Sequence, residues 1–378
     1  MQVMRDLVGA EFPLFAFSHC RDVVVAVSQA GGFGVLGGTG FTPEQLSIEL
    51  DWIDRHIGGK PYGVDILVPE KQMFGKDETV TLEHLVSRVP TRHVDFLASI
   101  LSEHGVSADR DSLVERRIPG MVPEIGEQLM DVAFAHPVRL MVSALGTAPK
   151  AMIERARKQG VPVGALVGAR EHAVKQAQAG VDVIIAQGGE GGGHCGEVST
   201  LVLIPEVLRA LQPIRPVPVL AAGGIVTGQQ MAACMALGAA GVWTGSVWLA
   251  TEESETTPVF RQKMVAASSR DTIRSVNRTG KPSRQLRSRW HDHWDSPQSP
   301  GALPMPLMSM LCEPAFGLID RSAEAGNPQA RELVTYFVGQ GVGLIDGVRT
   351  ARRVVEDFKQ EFADAIEHLM RDTGLDPG

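Results

Sequence analysis

One segment of the 378-residue chain combines residue types and spacing that point directly to chemistry. Ala186-Gln187-Gly188-Gly189-Glu190-Gly191-Gly192-Gly193-His194-Cys195-Gly196 follows the apolar run Val181-Asp182-Val183-Ile184-Ile185, which reads as a buried strand. Glycines this dense lose much conformational entropy on ordering, so they are expected where backbone must come close to a ligand. The side chain on offer is His194, and an imidazole exchanges a proton near neutral pH. The expectation is a flat ligand lying against this loop with His194 above it.

Two further clusters share the pattern of an apolar run ending in small residues. Leu220-Ala221-Ala222-Gly223-Gly224-Ile225 is one, and Trp243-Thr244-Gly245-Ser246 is the other. Gly223, Gly224, Gly245 and Ser246 make a candidate phosphate cradle of backbone amides. The bland alternative is that the glycines only permit tight strand-to-helix turns. His19 and Cys20 close an earlier apolar run and Asp65 a later one, which makes them candidates for contact with the same ligand. His291-Asp292-His293 is an isolated pair of histidines without further ligands, expected in a solvated loop, so no metal site is assigned. Arg274, Arg278, Lys281, Arg284, Arg287 and Arg289 form a basic run, expected as a solvated or subunit-contact surface, or one that steers an anionic cofactor.

These residues need a scaffold that gathers them at one end. Short apolar runs predict strands at 12–17, 33–36, 62–68, 139–143, 161–166, 181–186, 218–222 and 241–244, with amphipathic stretches between several of them. Near-continuous apolar strands separated by helices imply a parallel sheet covered on both faces. Eight such units favour an α/β fold of the (β/α)8 TIM-barrel type, whose strand C-termini carry the functional loops. The barrel is assigned to residues 1–257, with a helical excursion at about 70–137. Residues 258–347 read as an elaboration or cap beside the site. Residues 348–378 contain an amphipathic helix expected to pack on the barrel, or on a second copy in a homodimer.

A net charge of −8 gives no reason to expect a nucleic-acid partner. Cys20, Cys195, Cys234 and Cys312 are scattered without CxxC spacing and fit reduced thiols. The first residues show no leader-like pattern, and no apolar run reaches the ~20 residues of a membrane helix, so a cytoplasmic protein is expected.

The motifs Gln187–His194, Ala221-Ala222-Gly223-Gly224-Ile225 and 238–246, taken in order, resemble the nitronate monooxygenase family, formerly 2-nitropropane dioxygenases. That family also includes flavin-dependent enoyl-acyl-carrier-protein reductases and some NAD(P)H:quinone reductases. The resemblance implies an FMN-binding barrel with Gly223, Gly224, Gly245 and Ser246 at the phosphate. It further implies Gln187 and Gly188 near the flavin, His194 as the catalytic residue, and O2 with a small nitronate as substrates. By position, Ala16, Phe17, Ser18 and Asp65 would also face the flavin, and His19 and Cys20 the substrate. The chain departs from the pattern at Phe15–Cys20, where the family usually shows Gln-Ala-Pro-Met, at Asp65, usually Asn, and at Gly191, usually Ala. The alternatives to nitronate oxidation are an NAD(P)H-dependent reductase of a quinone or an enoyl thioester, and a flavin-binding module without turnover. Cys195 lies beside His194, but the loop lacks the Gly-Ser-x-Cys-Thr arrangement of inosine-monophosphate dehydrogenases, so no covalent role is assigned.

Overall fold

A computed structural model describes residues 1–68, 81–114, 123–144 and 146–374. Eight parallel strands close into a barrel: β1 (Leu14–Ser18), β2 (Phe33–Gly37), β3 (Tyr62–Ile66), β4 (Leu140–Ser143), β5 (Val163–Val167), β6 (Val183–Gln187), β8 (Val219–Ala222) and β9 (Gly241–Thr244). The barrel shuts where Phe15 pairs with Trp243 and Ala16 with Thr244. Successive strand residues face opposite sides. Phe15, Phe33, Val35, Leu140, Val142, Val183, Ile185 and Leu220 therefore fill the interior, while Leu14, Ala16 and Val242 pack outward under the helices. Helices lie between the strands, as the periodicity predicts. Thr42 and Thr227 each cap one with a reciprocal Gln side-chain bond, which fixes where the turn ends and the helix begins.

Two features lie beyond the expected rhythm. A separate three-stranded antiparallel sheet joins β7 (Gly193–His194) to β11 (Ser283–Leu286) and β10 (Thr272–Ser275). Its strands read Thr-Ile-Arg-Ser and Ser-Arg-Gln-Leu, with too little apolar alternation to signal a strand. Within the excursion the described α-helices are Leu82–Ser87, Thr91–Glu103 and Pro123–Ala133, with a short 3-10 turn at Arg110–Ser112; residues 69–80 and 115–122 lie outside the described residues. The helix Ala351–Thr373 packs on the barrel of its own chain. Glu361 accepts from the Gly228 amide at 2.7 Å, Lys359 donates to the Ala30 carbonyl at 2.7 Å, and Phe362 meets Phe12 edge-on.

Candidate functional site

The strand C-termini surround a cavity of about 490 Å³, within the range of small-ligand sites. Phe17, Ser18, His19, Cys20, Asp65, Gln187, His194, Gly223, Gly224, Gly245 and Ser246 all line it, although they span 230 residues of sequence. Ala16 and Gly188 do not line it. Strand alternation turns Ala16 outward beneath the helices, the opposite of a ligand-facing placement. Gly188 sits behind the wall, where its amide donates to the Ala222 carbonyl at 2.9 Å and where a Cβ would run into the Thr200 amide and hydroxyl.

The glycine loop is held from three sides. Gln187 donates its side-chain amide to the Gly192 carbonyl at 3.2 Å. Glu190 reaches the N-terminus of the helix Thr200–Leu211, accepting from the Thr200 amide (2.9 Å) and hydroxyl (2.9 Å). Arg284 donates to the Gly189 carbonyl at 2.9 Å. The strand β7 then pairs Gly193 with Arg284 and His194 with Ser283, so residues from the 258–347 segment seat the histidine. The His194 Nε2 atom lies 3.0 Å from the Thr279 hydroxyl, and Phe337 stands against the ring at 6.4 Å between centroids. Burial, with Lys281 adding its charge, lowers the His194 pKa to about 4, so the imidazole is neutral at pH 7.

The other walls differ in character. His19 donates Nδ1–H to the Gly37 carbonyl at 2.9 Å, leaving Nε2 as an acceptor. It keeps solvent-accessible surface yet is crowded by protein, as befits a wall residue deep in a cleft, and this desolvation lowers its pKa. Cys20 donates its thiol to the Glu253 carbonyl at 3.0 Å, and burial raises its pKa. Asp65 is buried, its Oδ1 has no partner among the described residues, and desolvation pushes its carboxyl well above the carboxylate range. Trp243, Tyr336 and Phe337 add aromatic surface that the glycine motifs could not reveal.

The residues present fit a flavin. Gly223 (φ +107°) and Gly224 (φ +70°) hold left-handed backbone that side chains resist, and a Cβ on Gly223 would come 2.8 Å from the Thr200 hydroxyl. Among the described residues nothing lies within 4 Å of where a Gly245 Cβ would stand. Among the described residues no lysine or arginine lines the cavity, so an anionic phosphate there would rely on backbone amides. The unpartnered Asp65 carboxyl is a polar group with a bond left to make, and the aromatic walls suit a flat ring system.

Two expectations outside the cavity are corrected. His291 is fully buried on the short helix Arg289–Trp294 rather than solvated, its Nδ1 accepting from the Ser288 amide at 3.1 Å. The basic run is not one surface. Arg278 is buried in a two-pronged pair with Glu313, both bonds 3.0 Å, over Phe316 and Phe337, and Arg284 braces the glycine loop. Arg274 pairs with Glu197, and Arg287 and Arg289 with Asp292. No helix among the described residues is long and apolar enough to cross a membrane.

Comparison with known proteins adds an independent line. The family described as Nitronate monooxygenase matches residues 4–361. A putative monooxygenase of Mycobacterium tuberculosis is 50% identical over 97% of this chain and 97% of its own length. Among solved structures, nitroalkane oxidase from Streptomyces ansochromogenes is similar with a TM-score of 0.77 and 26% identity, covering 97% of this chain and 99% of that one. FabK from Thermotoga maritima gives a TM-score of 0.70 and 27% identity, with 97% of each chain covered.

Proposed function

Because this chain belongs to the nitronate monooxygenase family of flavin oxidoreductases, we propose that it binds FMN and oxidises nitroalkanes, as their nitronates, with molecular oxygen. The observation that carries this reading is His194, neutral and held against the same cavity as the Gly223–Gly224 and Gly245–Ser246 turns. Those turns would hold the FMN phosphate, and Phe17, Ser18, Gln187 and Asp65 would border the ring system. Bound flavin supplies the electron acceptor that passes the substrate's electrons to O2.

His194 then handles the proton. A neutral imidazole accepts the α-proton of a nitroalkane, and the imidazolium formed pairs with the nitronate charge that develops beside it. That ion pair offsets the burial that otherwise disfavours the cation. Offered a preformed nitronate, His194 takes its proton from solvent and binds the anionic nitro group. His19 and Cys20 lie at the end of β1, where they would border the substrate rather than the phosphate.

A second reading, NAD(P)H-dependent reduction of a quinone or an enoyl thioester, draws on the likeness to FabK. Absorbance of the FMN-loaded protein under anaerobic conditions separates the two. Bleaching by an alkyl nitronate alone supports nitronate oxidation. Bleaching only by NADH or NADPH transfers the assignment to a reductase, and silence to both leaves a flavin-binding module. His194→Ala is expected to keep the flavin and lose on the order of 10²- to 10⁴-fold in flavin reduction by a nitroalkane.

A further inference from the structure

The Thr279 side chain sits where a turn between β10 and β11 passes beneath His194, and it is buried. Its hydroxyl has three neighbours. It lies 3.0 Å from the Lys281 carbonyl, 3.3 Å from the Lys281 amide and 3.0 Å from His194 Nε2. A hydroxyl carries one proton and two lone pairs. A carbonyl only accepts, so the proton goes to the Lys281 carbonyl; an amide only donates, so one lone pair takes the Lys281 N–H. The second lone pair is left for His194, and Nε2 must therefore carry hydrogen.

We infer that Thr279 is a positioning residue that locks His194 in its Nε2–H tautomer and so presents Nδ1 as the proton acceptor at the cavity. The two nitrogens of a neutral imidazole are distinct, and a partner on one decides the state of the other. Nδ1 has no hydrogen-bond partner among the described residues and is not buried, which leaves it open to a ligand. Pairing of His194 with Ser283 fixes the backbone on the same hairpin, so a single structural unit sets both the position of the ring and the placement of its proton. The inference rests on the reading of His194 as the base, and adds which of its atoms acts and what directs it.

The test uses the flavin-loaded protein labelled with ¹⁵N-histidine, with His194 assigned by the signals missing from His194→Asn. Near neutral pH the wild type is expected to show a protonated Nε2 and an unprotonated Nδ1. Thr279→Val, which matches the shape but cannot accept, is expected to mix the tautomers. It should also slow flavin reduction by a nitroalkane on the order of tenfold in kcat with little change in KM, because the wrong tautomer turns an N–H toward the substrate. Thr279→Ser restores both. A wild-type spectrum with hydrogen on Nδ1 overturns the inference even if the valine variant fails to fold. A valine variant with an unchanged spectrum overturns it too. If the tautomer shifts as described while His194→Ala reduces its flavin at the wild-type rate, the base reading fails and the lock stands.

Discussion

The Lys281 ammonium offers a direct handle on the proton affinity of His194. The imidazole falls from an ordinary 6.5 to about 4, with burial as the larger cause and Lys281 as the second. At ~1.4 kcal/mol per pKa unit the whole drop is about 3 kcal/mol, so the lysine's share is less than half, or about one pKa unit at most. Lys281→Met should therefore raise the His194 pKa to about 5 while burial holds it below 6.5. Lys281 is an exposed residue, so the substitution should leave stability within ~0.5 kcal/mol. A base must be unprotonated in the free enzyme, so kcat/KM falls as pH drops through its pKa. Stopped-flow flavin reduction by a neutral nitroalkane from pH 4.5 to 8 is the assay. The wild type should stay nearly flat across that range, and Lys281→Met should acquire an acid limb with a midpoint near 5. Salt should push the wild-type limb upward by screening the lysine and leave the variant unmoved. Two flat, superimposable profiles would refute the electrostatic link, and a wild-type limb already near 6.5 would refute the buried, neutral histidine.

Two glycines separate folding from cofactor binding. Gly245→Ala meets no atom of the described residues within 4 Å, so its melting temperature should hold while the FMN Kd rises on the order of tenfold through crowding of the proposed phosphate site. Gly223→Ala, at φ +107° and 2.8 Å from the Thr200 hydroxyl, should lose ~1–2 kcal/mol of stability as well. Thermal melts and flavin titrations check the pair. Asp65 titrates above its unfolded value, so the folded protein gains stability as pH falls below the folded pKa and loses it as pH rises through it. Asp65→Asn should thus melt about 2 °C higher at pH 7, with the advantage vanishing near pH 4; equal melts at both pH values would refute an unpaired buried carboxyl.

The barrel was legible because its signal is local. Val183–Gln187 and Gly241–Thr244 are apolar runs buried on both faces, and such runs spaced by helices admit few folds. Glycine clusters at the ends of those runs likewise announced turns that line the cavity, since left-handed backbone and close approach both select glycine. The first strand shows where this stops. Phe17, Ser18, His19 and Cys20 line the cavity, but Ala16 faces away because register, not proximity in sequence, decides which side chains point inward.

Much of what surrounds His194 was invisible in the linear chain. Thr279 lies 85 residues away, in the turn between two polar strands that carry no periodic signal, and Phe337 lies farther still. Arg278 read as part of a basic surface because sequence records charge but not burial; only the fold brings Glu313 and two aromatic rings to its guanidinium. The order of residue types thus determined the barrel, the glycine turns and which imidazole stands on the loop that borders the cavity. Tertiary structure alone decided which atoms of that side chain are engaged and how strongly it holds a proton, because hydrogen-bond partners and desolvation depend on distances between segments that are remote along the chain.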